Sequence, residues 1–356
     1  MTPTASNPLT APTRPGPPPV RRRATAAIAA ILAAGALAAC GGSSSSGSHS
    51  ASTASNAAAV GGSAPTLRVG DQAGTGAQSL LAAAGLLSKL PFHVSWADFT
   101  SGPPMLQAMS SGSLDIGGVG DAPPVFAAAG GAKIAIVGAL ANNPESAALV
   151  VPKGSSIDST SQLRGKKIAV AQGSSADYHL LTVLRRAGLT VHDVTLEYLQ
   201  PAQALAALTS GAVDAWDTWA PFIQQAVAQD GARILVNGQG YGSNYAYEVA
   251  SRSALGDPAK AREITQYLTL LNQAHVWADR HPAAWAAVWA KATGLPQSVM
   301  VTAARQDTAR PVPVDATSTG AEQSLVDTFA NAGLIPNHYS FSGYIDSGFN
   351  QTVGAH

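Results

Sequence analysis

Residues 111–124 read SGSLDIGGVGDAPP and contain the signals for a strand, a tight turn and the first turn of a helix. Leu114 and Ile116 form a short apolar run, three glycines follow, and Pro123 and Pro124 open an alanine-rich segment. Proline is tolerated in the first helical turn, where its missing N–H has no partner in any case. Such a junction directs backbone N–H groups outward, where an anion can bind, although a tight turn that binds nothing fits the same residues.

The same order of signals recurs later in the chain. Residues 108–115 read AMSSGSLD and residues 207–214 read ALTSGAVD, and a proline opens the next helix in both places. This repetition predicts two similar α/β units whose strand ends line one cleft, which is where ligands bind in open α/β sheets. We interpret Asp115 and Asp214 as structural residues that fix backbone N–H groups, because a carboxylate facing an anion would repel it.

The rest of the folded part follows an α/β pattern. Residues 65–251 alternate between short apolar runs and helical patterns, as parallel α/β units do. From residue 258 onward the pattern predicts helices only. Trp277, Trp285 and Trp289 have helical spacing there, which favours the core over contacts with a ligand.

The composition excludes several classes of function. The 356 residues include 21 basic and 21 acidic side chains, so the charge balance does not indicate binding to nucleic acid. This length suits two lobes. Cys40 is the single cysteine, which excludes an intrachain disulfide and a cysteine-based metal cluster. HExxH, G-x-S-x-G and P-loop spacings are absent, so we expect no catalytic residues, metal or cofactor; His179, just after a serine pair, is the histidine to test.

The first 64 residues carry export signals. Three arginines at 21–23 precede an uncharged apolar run at 24–39, which is short for a membrane-spanning helix and suits a signal peptide. The sequence LAACG at 37–41 resembles the lipobox of bacterial lipoproteins. We therefore expect a signal peptide over 1–39, then a lipidated Cys40 and a flexible linker over 40–64. A plain signal peptide with an incidental cysteine is the alternative.

Several stretches of the chain resemble the periplasmic substrate-binding proteins of ABC transporters for aliphatic sulfonates, with taurine and nitrate binders close by. The matching stretches are 67–72 (LRVGDQ), 94–103 (VSWADFTSGP), 112–124 (GSLDIGGVGDAPP), 163–175 (LRGKKIAVAQGSS), 211–221 (GAVDAWDTWAP) and 231–233 (GAR).

The resemblance implies an α/β, two-lobed periplasmic-binding-protein fold of type II, in which each lobe is a mixed sheet flanked by helices. Lobe I would comprise 65–151 and the helical part 247–356, and lobe II would be 152–246. Two hinge strands, near 147–151 and 245–250, would join the lobes.

The resemblance also implies a function. The chain would be an extracytoplasmic lipoprotein, anchored to the cell membrane and periplasmic if the cell has an outer membrane. As a monomer, and not as an enzyme, it would bind a small organic anion between the lobes and deliver it to the permease subunits of an ABC importer. An aliphatic sulfonate or taurine fits best. Binding of nitrate or of a pyrimidine or thiamine precursor is the alternative, and an enzyme on the same fold is a further one.

The three oxygens of a sulfonate accept hydrogen bonds, so loop N–H groups and hydroxyls can hold it, and an aromatic wall suits its organic tail. The candidate ligand-binding residues are Gln72, Gly74, Thr75, Gly120, Asp121, Ala122, Gly173, Ser174, Ser175, Asp177, Tyr178, Trp216 and Trp219. Helix capping by the serines and core packing of the tryptophans are the alternatives. Ala122, where close sulfonate binders often have threonine, and the acidic Asp71 depart from the family pattern. A different anion, or a neutral or zwitterionic solute, is therefore an alternative ligand.

Overall fold

The computed structural model describes residues 66–72, 76–306 and 308–354. The predicted signal peptide, Cys40 and the linker lie outside the described residues, as do Gly74 and Thr75.

Eleven strands are present among the described residues. They are β1 (Thr66–Gln72), β2 (His93–Phe99), β3 (Ile116–Gly120), β4 (Ile134–Asn142), β5 (Ala147–Val151), β6 (Lys167–Val170), β7 (Thr195–Tyr198), β8 (Ala215–Trp219), β9 (Arg233–Asn237), β10 (Tyr245–Ser251) and β11 (Ala309–Val312). The first sheet has the order β11-β4-β10-β3-β1-β2, and the second sheet has the order β7-β6-β8-β5-β9. Both sheets are mixed: β1 is parallel to β2 and β3, whereas β10 is antiparallel to β3 and β4.

Helices cover both faces of each sheet. They are α1 (Ala77–Ala83), α2 (Gly102–Ser110), α3 (Ala122–Ala129), α4 (Ser175–Arg186), α5 (Pro201–Thr209), α6 (Phe222–Asp230), α7 (Arg252–Leu255), α8 (Pro258–Arg280), α9 (Pro282–Thr293), α10 (Gln297–Gln306) and α11 (Ala316–Asn331). Because the sheets are covered on both faces, an interior strand can be apolar on both faces, as β5 is: its last four residues are fully buried. The mixed sheets with flanking helices agree with the predicted fold class.

The repeated aspartates have the structural role that the sequence predicts. Asp115 Oδ2 accepts the backbone N–H of Arg68 at 2.8 Å, and Asp214 Oδ2 accepts that of Lys167 at 2.8 Å. Both bonds join residues 47 positions apart, and in both the aspartate N–H returns a bond of 2.8 Å to the same residue's carbonyl. The two halves of the chain therefore build equivalent strand connections in the same way.

Two expectations about strands need correction. The predicted hinge strands do not pass between the sheets: among the described strands, β5 pairs with β8 and β9 of the second sheet, and β10 pairs with β3 and β4 of the first. The connections are instead the segments 143–146 and 238–244. The part after residue 258 is also not purely helical, because β11 adds an edge strand to the first sheet.

The C-terminal tryptophans pack in the core as expected, although Trp289 also borders the cavity described below. Trp285 and Trp289 are 6% and 1% exposed and stack with ring centroids 5.5 Å apart in the core between the first sheet and α8. Trp277 packs against the same core while partly exposed. None of the described helices combines the length and the apolar character that crossing a membrane requires.

Candidate ligand-binding cleft between the sheets

A cavity of about 260 Å³ lies between the two sheets. The carboxyl ends of β1, β3, β4 and β8 reach it, together with the beginning of β10 and the N-terminus of α4. Strand ends of this kind are the usual ligand site of open α/β sheets. The size suits a small solute.

Six of the predicted site residues line this cavity, and five do not. The lining residues are Gln72, Gly120, Asp121, Ser174, Ser175 and Trp219. The predicted residues outside the lining are Ala122, Gly173, Asp177, Tyr178 and Trp216.

Packing explains the residues that do not line the cavity. Ala122 is fully buried against the core of the first sheet, and Tyr178 packs on Phe329 with ring centroids 5.9 Å apart. Trp216 is 1% exposed and lies in the core of the second sheet, so it does not form part of an aromatic wall. Trp219 remains as the tryptophan of the second sheet that lines the cavity.

The N-terminus of α4 combines capping with N–H groups at the cavity. Ser174 Oγ accepts the N–H of Asp177 at 3.3 Å, as expected for a cap. The fully buried Asp177 accepts the N–H of Gly173 at 2.9 Å, and burial raises the pKa of its carboxyl to about 7. The N–H groups of Ser175 and Ala176 come first in the helix, have no intrahelical acceptor, and belong to residues that line the cavity. Free N–H groups at a helix N-terminus are donors to which an anion can bind.

The two sides of the cavity touch through Ser175. Its Oγ accepts the N–H of Asp121 at 3.1 Å, and the carboxyl of Asp121 accepts a short hydrogen bond from Ser243. A Cβ at position 120 would lie 2.0 Å from Ser175 Oγ, so only glycine permits this approach. The carboxyl of Asp121 is thus engaged with Ser243, and burial raises its pKa.

Further hydrogen bonds close the cleft at its edges. The hydroxyls of Thr100 and Ser101, which precede α2, both donate to Gln200 Oε1 at 2.9 Å. Gln224 Nε2 on α6 donates to Gln306 Oε1 on α10 at 2.7 Å. The first sheet with its helices and the second sheet with its helices are therefore in contact around the cavity.

A buried histidine–aspartate pair lies beside the α4 terminus. His179 Nδ1 is 2.8 and 2.9 Å from the two carboxyl oxygens of Asp217, and the side chains are 1% and 0% exposed. Burial alone would lower the pKa of His179, but the charge of Asp217 and the hydrogen bond to it outweigh burial and raise that pKa. His179 lines the cavity, and among the described lining residues no lysine or arginine occurs. The contact with Asp217 therefore favours the protonated form of His179 more than in a free histidine.

The first loop differs from the expected anion site. The carboxylate of Asp71 accepts the N–H groups of Gln72, Ala77 and Gln78 at 2.9, 2.8 and 3.0 Å. Asp71 therefore occupies the N-terminus of α1, which is closed to a second anion. Burial raises the pKa of this carboxyl, although the three N–H bonds act in the opposite direction.

No group of three or more His, Cys, Asp or Glu side chains in the described part of the chain is placed to hold a metal ion. The chemistry that these residues offer is hydrogen bonding to an anion at one end of the cavity and contact with apolar and aromatic groups along its walls.

Comparison with known proteins identifies the family. The model of the NMT1-like family matches residues 62–310. The chain belongs to the NMT1-like family.

Relatives of this NMT1-like chain include binding proteins for sulfur compounds. A candidate aliphatic sulfonates-binding protein of Escherichia coli (strain K12) is 34% identical over 279 residues, covering 77% of this chain and 86% of the relative. The taurine-binding periplasmic protein of the same strain is 34% identical over 149 residues, covering 42% of this chain and 45% of the relative.

A solved structure shares the fold. The alkanesulfonate-binding protein SsuA from Xanthomonas axonopodis pv. citri, bound to MOPS, superposes with a TM-score of 0.74 at 33% identity, covering 79% of this chain and 98% of SsuA. The relatives named here are binding proteins, and the α/β architecture of two mixed sheets is that of SsuA.

Proposed function

We propose that this protein is the extracytoplasmic solute-binding component of an ABC importer and that it takes a small organic anion of the aliphatic sulfonate or taurine class. The observation that carries the proposal is the pairing of His179 with the open N-terminus of α4 at one cavity. A sulfonate needs several hydrogen-bond donors and little compensating positive charge. At this end of the cavity the first N–H groups of α4 are the donors, and protonated His179 would carry the positive charge.

The proposed contacts follow from the lining residues. The N–H groups of Ser175 and Ala176 and the imidazolium of His179 face the sulfonate, while Trp219 shields the organic tail from water. Gln72, Gly120, Asp121 and Ser174 complete the predicted set as wall residues. Nitrate or a pyrimidine precursor is the competing ligand, and nitrate would leave the apolar walls uncovered.

Delivery to a permease would use opening and closing of the cleft. We propose lobes built on the first and second sheets, with 143–146 and 238–244 as the connecting hinge segments. Ligand would stabilise the closed arrangement, in which Ser175 bonds Asp121, and this closed surface would dock on the permease.

Binding screens test this function directly. A thermal-shift series with alkanesulfonates, taurine, nitrate, sulfate and pyrimidines should show stabilisation by sulfonates, because a ligand raises the melting temperature by mass action. His179→Gln should weaken sulfonate binding by about tenfold, the effect of one charge-assisted hydrogen bond, whereas the exposed His192→Gln should leave it unchanged. Stabilisation by neutral compounds alone would refute the anion proposal.

Membrane attachment through Cys40 is a separate proposal. Full-length protein expressed in a bacterial host should fractionate with membranes and carry a lipid mass on Cys40, and Cys40→Ala should be released as soluble protein. A wild-type chain that is soluble and unmodified after export would contradict lipidation.

A further inference from the structure

Five residues of the first sheet and of helices α8 and α9 line the same cavity, and we call the part that they line the inner compartment: Gly118, Glu248, Leu271, His275 and Trp289.

Glycines make room for the Glu248 side chain. In the sheet, Glu248 pairs with Gly118 of β3 and with Gly138 of β4. A Cβ at Gly118 would lie 2.7 Å from Glu248 Oε1, and one at Gly138 would lie 3.3 Å from Glu248 Cβ. Glu248 is only 5% exposed and lines the compartment. The sequence thus builds a space around one buried carboxyl group.

Polar atoms in this region lack partners. Among the described residues that line the inner compartment, Glu248 Oε2 and Trp289 Nε1 are buried polar atoms without a hydrogen-bond partner. Buried polar side chains are nearly always hydrogen-bonded in folded proteins. Glu248 Oε2 can accept a hydrogen bond and so suits a ligand group that donates, whereas Trp289 Nε1 can only donate.

The local charge also favours a cationic group. Burial raises the pKa of Glu248 to about 8, and the negative charge of Asp71 adds to that increase. The charged neighbour that acts on Glu248 is therefore an acid, which a cationic ligand group would offset. Burial lowers the pKa of His275 to about 4, which leaves that side chain neutral. The titratable groups around Glu248 are therefore Asp71 of β1 and Tyr267 and His275 of α8, and none of them is a cation.

We propose that the inner compartment binds the ammonium group of a zwitterionic aminoalkanesulfonate, with Glu248 as the acceptor, while the sulfonate lies at the α4 terminus. This assignment rests on the proposed function and narrows its substrate class. The ammonium group donates to the ionised carboxylate of Glu248, and the proton that leaves the neutral carboxylic acid passes to solvent. Binding of the zwitterion therefore releases a proton below about pH 8, whereas binding of a plain alkanesulfonate does not use Glu248.

The test compares two ligands with the same number of heavy atoms, 2-aminoethanesulfonate and propane-1-sulfonate, by isothermal titration calorimetry. The wild-type protein should bind the amino compound at least about tenfold more tightly, the worth of one charge-assisted hydrogen bond. Lowering the pH below about 8 should reduce this preference, by up to about tenfold per pH unit. Because His179 acts on both ligands, its own titration cancels in the ratio.

Variants separate the compartment from the fold. Glu248→Gln should lose the preference for the amino compound while it still binds propane-1-sulfonate, which also shows that the variant is folded. Glu322→Gln is the matched control, since Glu322 is an equally buried carboxyl that does not line the cavity, and it should keep the preference.

The outcomes are distinguishable. A wild-type protein that binds propane-1-sulfonate equally well or better overturns this inference and leaves the proposed function standing, as does a preference that survives in Glu248→Gln. A protein that binds neither compound overturns the proposed function and this inference with it.

Discussion

Substituting Gly120 by alanine should hold the cleft open. An alanine Cβ at this position would lie 2.0 Å from Ser175 Oγ and 3.2 Å from Ser175 Cβ, whereas real Cβ contacts are essentially never shorter than 3.0 Å. Either the Ser175 hydroxyl must rotate away or the two sides must move apart by about 1.0 Å, and both changes cause a separation of Ser175 Oγ from the N–H of Asp121. Gly120 is the last residue of an extended strand, so alanine fits its backbone and the effect arises from the clash.

The expected loss follows from the hydrogen bond that this separation breaks. Ser175 Oγ accepts the N–H of Asp121 at 3.1 Å. An unsatisfied buried N–H costs about 1–3 kcal/mol, which destabilises the closed arrangement by that amount. Ligand affinity should then fall by about 5-fold to 150-fold.

Calorimetry with the sulfonate from the binding screen measures this loss, and a double-mutant cycle identifies its cause. Ser175→Ala alone should cost about 1–3 kcal/mol of binding free energy, because it removes the same acceptor of the Asp121 N–H. Gly120→Ala combined with Ser175→Ala should bind about as well as Ser175→Ala alone, because the clashing oxygen is gone. Solution scattering should show that ligand compacts the double variant more than Gly120→Ala.

Wild-type affinity in Gly120→Ala would refute the reasoning. A double variant whose loss equals the sum of the two single losses would also refute it, since the two positions would then not touch in the ligand-bound state.

Three further changes test other parts of the structure. Asp115→Ala should lower the free energy of urea unfolding by about 2–3 kcal/mol. Burial raises the pKa of Asp115, but the hydrogen bonds to Arg68 outweigh burial and lower the pKa, so the stabilisation by Asp115 is lost as the pH falls below about 4. A loss of stability that does not depend on pH would contradict this prediction. Asp217→Asn should lower the melting temperature most at about pH 6 and less as the pH rises. The pKa of His179 is raised by Asp217, so their ion pair stabilises the fold only while the histidine is protonated. A decrease in melting temperature that grows with pH would exclude the ion pair. Gln200→Ala should weaken ligand binding by about fivefold without touching the cavity, since Gln200 accepts two hydroxyls across the cleft; unchanged calorimetric affinity would mean that these bonds do not stabilise closure.

The parts of the fold that local signals determine were predictable. The glycine-rich junction and its repeat predicted that Asp115 and Asp214 fix backbone N–H groups, and each carboxylate does accept a backbone N–H. Strand pairing was not predictable in the same way. The apolar segment of β5 fits the middle of either sheet, and its partners β8 and β9 lie far along the chain. The strand β11 has only four residues and contains proline, so it lacks a strand pattern.

The site residues also differ in whether a local sequence signal predicts them. Ser174 and Ser175, which line the cavity, could be predicted as site residues because a serine pair before a helix is a local signal. His179 and Asp217 are 38 residues apart, and nothing near either residue shows that they meet. Glu248 lies in an otherwise apolar run, and its glycine neighbours follow from the register of β3, β4 and β10 alone. Asp71 was taken as an acid close to an anion, whereas it caps α1.

The position of β10 has a consequence for the order in which the chain folds. All strands of the second sheet have been synthesised by residue 237, so that sheet can assemble while the chain is still being made. The first sheet cannot, because β10 lies between β3 and β4 and β10 is complete only at residue 251. Until then the first sheet consists of separate fragments with exposed strand edges, and joining them closes a loop of about a hundred residues. The inserted half of the chain is therefore the natural nucleus of folding during synthesis, and the half that surrounds it is the one exposed to aggregation.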